Sequence, residues 1–353
     1  MTEQQDVLFE EIPGKDGNLG LITLNRPDVL NSLNLIMIQS MQKQLNAWAG
    51  NDSIKGVVIQ GKGRAFCAGG DLRLTYERHQ KNDDQLALFF HDEYQLNKTI
   101  YHYPKPYIAL LDGITMGGGV GVSIHGSHRV ATENLVFAMP ETGIGYFPDV
   151  GGTHFLPRLP GHIGLYLGLS GARLRVDDCK ALNLVQHKVT RDDFPAIFEA
   201  LAKHSWGNDP QTTVQHILAK FHIASDATSL LQQQESIDKC FAFSTVEDIL
   251  DALQLSTNAV CQDAAIAFTK KSPTSLKVTL AALKRSAKLD FDECMRQEFR
   301  LASHFLSNHD FFEGIRALIV DKDQKPHWQP AILSNVTQEK VESYFSPLKE
   351  ELM

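Results

Sequence analysis

The sequence predicts an α/β protein in which an alternating core is followed by a mainly helical part. Short apolar runs such as Leu21–Leu24 and Tyr107–Leu111 are flanked by turn-forming residues, as buried strands are. Between such runs, apolar residues recur every three or four positions, which indicates helices. The alternation continues to about residue 190 and is typical of an α/β core. Beyond that point the pattern is mostly helical.

The predicted elements follow one another closely in the first half of the chain. A helix is expected from about Asn34, and Gly50 is its expected C-cap, because glycine tolerates the left-handed conformation. A second helix is expected from about Asp83 to Tyr103, where Pro104 stops it. The remaining predictions are strands at 56–61, 129–131 and 136–138, helices near 162–170, 176–184 and 310–320, and mostly helical chain over 194–295.

Length and composition favour a core with an appendage. The 353 residues are predicted to divide into a core, 1–200, and a helical region, 201–353, that packs on it.

A formal net charge of -8 argues against a general nucleic-acid surface. No apolar run reaches the ~18 residues that span a membrane. The acidic N-terminus lacks the features of a secretion or transit signal, so a cytoplasmic location is expected. The five scattered cysteines indicate reduced thiols.

Two acidic residues lie in unusual settings. Glu141 is part of Met-Pro-Glu-Thr-Gly, and Asp149 is part of Phe-Pro-Asp-Val-Gly-Gly. Apolar surroundings disfavour the charged carboxylate and raise its pKa, which is how enzymes tune acids and bases. Both residues are therefore candidates for functional chemistry. The structural alternatives are a carboxylate at a helix N-terminus for Glu141 and a turn or cap residue for Asp149.

Two glycine-rich loops have similar contexts. Gly69-Gly70 and Gly117-Gly118-Gly119 each follow a predicted strand and precede a helix. Backbone N–H groups at such positions can point at a polarised oxygen, and two converging loops would form an oxyanion hole. The alternative is that the glycines serve only turns or close packing. The spacing fits no dinucleotide fingerprint, phosphate loop or GxSxG elbow.

Other polar residues near these loops have simpler explanations. Asp71 is predicted to be a helix N-cap after the first loop. His125 and His128 flank Gly126 without the spacing of metal ligands, so packing or surface roles are expected for them. No metal site is predicted.

The two glycine loops resemble the signatures of the enoyl-CoA hydratase/isomerase (crotonase) superfamily. The residues that carry the resemblance are Ala65-Phe-Cys-Ala-Gly-Gly-Asp71 and Asp112-Gly-Ile-Thr-Met-Gly-Gly-Gly119, and the stretch 310–328 resembles the family's ending. Within the superfamily, the stretches 113–121, 137–142 and 147–159 are most similar to the 3-hydroxyisobutyryl-CoA hydrolase subgroup. The resemblance implies a crotonase-like spiral of ββα units and a coenzyme A thioester as ligand.

The resemblance also implies roles for individual residues. The backbone N–H groups of Gly70 and Gly118 map onto the oxyanion hole of the family, and Gly118 also contacts the substrate. The substrate-contacting carboxylates of the hydrolase subgroup fall on Glu93, Glu141 and Asp149. Glu93 lies in a weaker local match, and an ordinary carboxylate on a helix surface is its alternative.

The residue at position 121 separates two reactions within the family. Hydratases use a glutamate there together with a second one in the Pro-Glu stretch, and this chain has Gly121 and keeps only Glu141. With Asp149, this favours hydrolysis of a short branched hydroxyacyl-CoA thioester, 3-hydroxyisobutyryl-CoA in valine breakdown. Glu141 is either a nucleophile that forms a mixed anhydride or a general base on water. The alternatives are enoyl-CoA hydration or isomerisation and non-catalytic acyl-CoA binding.

The implied partner is the acyl-CoA thioester. Because coenzyme A is part of that substrate, no separate cofactor is expected. Cationic side chains should receive its phosphates, and the candidates are Arg26, Lys62, Arg64 and Lys322. No nucleic-acid or membrane partner is expected. Members of the superfamily often form trimers or hexamers, and the altered C-terminal part leaves a homo-oligomer as an open alternative.

Overall fold

The strands form two sheets in a computed structural model that describes residues 5–83, 85–225 and 229–352. The strands are β1 (Val7–Ile12), β2 (Asn18–Leu24), β3 (Ile54–Gly61), β4 (Ala65–Cys67), β5 (Tyr107–Leu111), β6 (Ile114–Met116), β7 (His128–Thr132), β8 (Val136–Ala138) and β9 (His187–Val189). The larger sheet has the order β1-β2-β3-β5-β7-β9, and the smaller one has the order β4-β6-β8. Only the pair β1-β2 of the larger sheet is antiparallel among the described residues.

Helices and helical turns connect these strands and form most of the chain after residue 190. They are α1 (Leu35–Ala49), α2 (Leu72–Gln80), α3 (Gln85–Tyr101), α4 (Gly118–Ile124), α5 (Gly152–Phe155), α6 (Ile163–Ser170), α7 (Val176–Ala181), α8 (Phe194–Lys203), α9 (Pro210–Ala219), α10 (Ser229–Gln232), α11 (Gln234–Phe241), α12 (Val246–Leu255), α13 (Ala259–Phe268), α14 (Pro273–Ser286), α15 (Phe291–Leu306), α16 (His309–Ile315) and α17 (Gln338–Ser343). Both the α/β class and the mainly helical C-terminal part are thus confirmed.

In three successive pairs of strands, the first strand belongs to the larger sheet and the second to the smaller one. β3, β5 and β7 belong to the larger sheet, and the strands that follow them, β4, β6 and β8, belong to the smaller one. A helix or helical turn comes after each pair, which lets the next strand return in parallel. The chain therefore repeats a ββα unit.

The chain is organised into two compact units that are interleaved in sequence. The first comprises Met1–Gly70, Gln95–Phe137 and Leu174–Thr228, and the second comprises Asp71–Tyr94, Ala138–Arg173 and Ser229–Met353. One boundary between them falls inside α3, after residue 94. The division at residue 200 that was expected from the sequence stays a prediction.

The first unit has a core between its larger sheet and the helices after β9. Leu19, Val58 and Ile108 of the sheet belong to one buried cluster with Ile197 of α8 and Trp206. On α1, the Asn34 side chain accepts a hydrogen bond from the N–H of Met37, as an N-cap does. Gly50 is the C-cap of α1, which confirms the prediction, and its φ of -84° is right-handed, so it does not use the left-handed conformation that glycine tolerates.

In the second unit, long amphipathic helices surround a buried interior. The buried positions of α15 recur every three or four residues, which is the helical period. Nearly all of α6 and most of α14 are buried. The helix expected over 310–320 is α16 followed by a π-helical turn, Arg316–Val320.

Several short strands were not predicted. β4, β6 and β9 have three residues each, which is too few to show an alternating pattern. β1 lies at the edge of its sheet with only Val7 buried, so it lacks a clear apolar face. The five cysteines are buried and free, as expected. Within the described ranges, every helix is too short or too polar to cross a lipid bilayer.

Candidate active site

Glu141 lies at the start of a 3₁₀ turn in the second unit. The turn, Glu141–Ile144, follows β8 and Pro140, and Gly145 ends it with a left-handed φ of 72°. The Glu141 side chain is only 6% exposed, and its Oε2 atom has no hydrogen-bond partner in the protein. Burial raises the pKa of Glu141 well above its usual value, and the charge of Asp149 adds to the increase. The carboxyl group is therefore available to a ligand or to water.

Asp149 is held by a tyrosine that the sequence analysis did not identify. The hydroxyl of Tyr94 donates to Oδ2 of Asp149 over 2.7 Å, and it lies 3.2 Å from the hydroxyl of Tyr146. Asp149 is 5% exposed. Burial raises its pKa to about 7, although the bond from Tyr94 lowers it. Asp149 can therefore exchange a proton near neutral pH.

Glu93 joins these two carboxyl groups from α3. It is 3% exposed, and its Oε1 atom is buried without a partner in the protein. Burial raises the pKa of Glu93 well above its usual value, and the charge of Asp149 contributes to the increase. The ordinary helix-surface alternative is therefore wrong for Glu93. The second unit brings together the three carboxylates predicted from the sequence.

A fourth buried carboxylate, Glu298 of α15, was also missed. Its Oε2 accepts from the N–H of Gly151 over 2.8 Å, and its Oε1 accepts from the N–H and the hydroxyl of Thr153 over 2.9 and 2.6 Å. Burial raises the pKa of Glu298 to about 8, and these hydrogen bonds oppose the shift. Glu298 thus fixes the turn that begins at Asp149. Its place in the apolar period of α15, between Met295 and Leu301, is a signal that could have revealed it.

Aromatic side chains surround Tyr146 beside these acids. The ring of Tyr146 lies 4.7 Å from that of Phe147, 4.5 Å from that of Phe311 and 5.3 Å from that of Phe305. Such packing excludes water and lowers the local dielectric constant, which is the cause of the raised pKa values.

The two glycine loops lie side by side in the first unit. A Cβ atom on Gly69 would be 3.3 Å from the carbonyl oxygen of Met116 and 3.7 Å from the nitrogen of Gly118. Gly69 has a φ of 109°, which favours glycine. Gly118 is the first residue of α4, a position whose N–H has no acceptor within the helix. Gly70 is bridged to Leu33. This geometry suits two N–H donors near one another, and their action on an oxyanion stays a prediction.

The other predicted residues have varied outcomes. Asp71 is the N-cap of α2 and accepts from the N–H of Leu74, which confirms that expectation. His128 is buried in β7 and lies 2.9 Å from the hydroxyl of Ser127, so its role is in packing. Among the described residues, no group of three or more His, Cys, Asp or Glu is arranged to hold a metal.

The four cations expected to bind phosphate lie at or near the surface. Lys62, Arg64 and Lys322 are exposed, and Arg26 forms an ion pair with Asp6. Their contact with coenzyme A stays a prediction.

The chain is similar to several known proteins over nearly its whole length. It is 42% identical to 3-hydroxyisobutyryl-CoA hydrolase, mitochondrial, of Danio rerio, over 98% of this chain and 90% of that protein. It is 40% identical to the Homo sapiens protein of the same name, over 99% of this chain and 91% of that protein.

Two solved structures share the fold. A carnitinyl-CoA dehydratase from Mycobacterium thermoresistibile is 40% identical with a TM-score of 0.90, covering 99% of each chain. An enoyl-CoA hydratase from Rhodobacter sphaeroides 2.4.1 is 36% identical with a TM-score of 0.89, covering 99% of this chain and 100% of that one. These likenesses confirm the crotonase-like fold. The family profile described as enoyl-CoA hydratase/isomerase matches residues 19–345, and this chain belongs to that family.

Proposed function

We propose that the protein hydrolyses a short branched hydroxyacyl-CoA thioester, 3-hydroxyisobutyryl-CoA, to 3-hydroxyisobutyrate and coenzyme A. The observation that carries the proposal is the buried pair of Glu141 and Asp149, combined with glycine at position 121. Because position 121 is glycine, the pair of glutamates that adds water across a double bond is incomplete. Thioester hydrolysis needs only one carboxylate, Glu141, and a second acid, Asp149. The names of the curated relatives support the same reaction.

The proposed chemistry centres on Glu141. In one version its carboxylate attacks the thioester carbonyl, the C–S bond breaks, the thiolate leaves, and water opens the mixed anhydride. In the other version Glu141 takes a proton from a water molecule that attacks the carbonyl directly. In both, Asp149 orients the substrate hydroxyl or the water and transfers protons, and Glu93 contacts the substrate. The N–H groups of Gly70 and Gly118 would stabilise the oxyanion, each being worth roughly 3–4 kcal/mol.

The test is a thiol-release assay across short branched, hydroxylated and unsaturated acyl-CoA thioesters. We expect rapid thiol release from 3-hydroxyisobutyryl-CoA and no hydration of crotonyl-CoA. Single turnover in ¹⁸O-labelled water then separates the two versions, because label enters the Glu141 carboxyl group only if an anhydride forms. Absence of thiol release from every thioester would refute the proposal.

A second candidate function is hydration or dehydration of an acyl-CoA. The names of the two solved structures favour it, since both are at least 36% identical to this chain. Loss of the unsaturated thioester's ultraviolet absorbance without thiol release would support it. Binding of acyl-CoA without any turnover would indicate the third alternative, a non-catalytic protein.

The proposal extends to the setting of the reaction. The substrate places the step in valine breakdown, and hydrolysis needs only the thioester and water, so no resident cofactor is expected. Unchanged activity after dialysis against EDTA checks this point. A cytoplasmic location stays a prediction, because the relatives' names place those proteins in mitochondria. Fractionation of the source cells is the measurement that decides it.

A further inference from the structure

A lysine of the second unit lies against the segment that carries Glu141. The Nζ atom of Lys271 is 3.2 Å from the position that a Cβ atom on Gly143 would occupy and 3.1 Å from the corresponding position on Gly171. That position on Gly171 is also 3.1 Å from Cα of Pro140. Pro140 and Gly143 lie on either side of Glu141 in the sequence. The ammonium group therefore occupies space beside this turn that two glycines leave open.

The residues on both sides of Lys271 form hydrogen bonds to more distant parts of the chain. The indole nitrogen of Trp328 donates to the carbonyl oxygen of Lys270 over 3.3 Å. The hydroxyl of Ser272 donates to the carboxylate of Asp310 over 2.6 Å. Both bonds tie this segment to the chain near residues 310 and 328. The segment that carries Lys271 is therefore held on both sides of this residue.

The surroundings of Lys271 are unfavourable for a cation unless an acid lies near. The residue precedes the N-cap of α14, and the positive end of a 14-residue helix repels an ammonium group. Burial lowers the pKa of Lys271 to about 8, and Glu141 is the group that raises it. Oε2 of Glu141 has no hydrogen-bond partner in the protein, so Lys271 acts on this carboxyl group through its charge rather than through a hydrogen bond to that oxygen.

The charged groups around this pair are of both signs. Glu141 is affected by Asp149 and Glu298, whose charges raise its pKa, and by Lys271, which lowers it. Lys271 and Gly143 also line a cleft of about 950 Å³. The other charged residues that line this cleft are Asp263, Lys270 and Lys325. The cleft gives water and solutes access to the place where the ammonium meets the turn.

We propose that Lys271 is a positioning residue for Glu141: the ammonium group of Lys271 stabilises the carboxylate form and so raises the fraction of Glu141 that can react. The inference rests on the proposed function, and it holds whether Glu141 acts as nucleophile or as general base. Burial and the charges of Asp149 and Glu298 favour a protonated Glu141, and a cation beside the turn opposes them in part. Lys271 supplies that cation from beside the turn.

The test compares pH profiles of kcat/KM for thiol release. In Lys271→Met the acidic limb should move to higher pH by about one unit, because the loss of a nearby opposite charge raises a carboxyl pKa by that order. The rate on that limb should fall about tenfold, whereas the plateau above the limb should stay near that of the wild type. Lys271→Arg keeps the charge and should restore the wild-type limb. Lys270→Met removes an adjacent, exposed charge and serves as the matched control.

Two results would overturn the inference. A uniform loss of rate at every pH would mean that Lys271 only supports the fold, and an unchanged profile would mean that it does not act on Glu141. If the wild-type protein releases no thiol, the proposed function fails separately. The inference is then decided by a ¹³C NMR titration of the Glu141 carboxyl group, with the signal assigned by comparison with Glu141→Gln. The midpoint of this titration must lie at a higher pH in Lys271→Met than in the wild type.

Discussion

Two buried glutamates of the second unit differ in how their oxygens are satisfied. Glu298 accepts three hydrogen bonds from Gly151 and Thr153. Glu141 has an oxygen with no partner in the protein. A buried acceptor that lacks a partner costs about 1–3 kcal/mol. The comparison teaches that burial alone does not distinguish the two glutamates, whereas the unsatisfied oxygen of Glu141 agrees with the reactive role proposed for it.

Replacing Glu141 tests the reactive side of this comparison and has the largest expected effect. Glu141→Gln should lower thiol release by roughly 10²–10⁴-fold, because the amide can neither attack the carbonyl nor accept a proton. Thermal unfolding should show that the fold is retained, since the amide has the same shape. Normal turnover by the variant would contradict the assigned role.

Asp149→Asn tests whether the raised pKa of Asp149 is linked to stability. The folded protein holds this proton up to about pH 7, while the unfolded chain loses it near its ordinary value of 3.8. The contribution of Asp149 to stability is therefore present below pH 4 and is lost as the pH rises through about 7.

Because asparagine does not titrate, the variant should gain stability relative to the wild type between pH 4 and 8, by roughly 1–4 kcal/mol. Urea unfolding at several pH values measures this difference. The histidines whose pKa values burial lowers, such as His128 and His154, affect both proteins equally and cancel. A difference that does not change with pH would show that Asp149 titrates normally.

Glu298→Gln tests the structural side of the comparison. Its amide NH₂ group would face an N–H donor of Gly151 or Thr153, so we expect a loss of about 1–3 kcal/mol in the free energy of unfolding. Glu235→Gln, on an exposed site of α11, is the matched control and should change stability by less than about 0.5 kcal/mol. Equal losses in the two variants would show that the three hydrogen bonds contribute nothing specific.

Tyr94→Phe should have the smallest effect. It removes the hydrogen bond to Asp149, which raises the pKa of Asp149 further, and should lower kcat about tenfold. Tyr146→Phe removes the neighbouring hydroxyl but keeps that bond, and it should leave kcat closer to the wild type. If both variants lose the same activity, the bond to Asp149 is not the reason.

Features that depend on local sequence could be predicted. Asn34 and Asp71 were identified as helix starts because a cap acts within three residues of itself. The burial of Glu141 and Asp149 followed from the Pro, Gly and apolar residues beside them. Gly50 shows the limit of such rules, since a glycine after a helix need not adopt the conformation that glycine permits.

Contacts between residues that are far apart in the sequence could not be predicted. Tyr94 is separated by 55 residues from Asp149, and Glu298 by 147 residues from Gly151. No local sequence pattern predicts which turn a buried polar side chain will contact. The helical period of α15 does place Glu298 on an apolar face, but the donors that it meets are set only by packing against a distant part of the chain.

The long separation between Glu298 and its turn has a consequence for synthesis of the protein. Gly151 and Thr153 leave the ribosome well before Glu298, which follows 147 and 145 residues later. Until Glu298 is made, the N–H groups of Gly151 and Thr153 lack its carboxylate as an acceptor, and the turn that begins at Asp149 lacks these hydrogen bonds. The chain therefore completes the support of this turn only after α15 has been made. A chain that stops before α15 would lack the three hydrogen bonds that hold this turn.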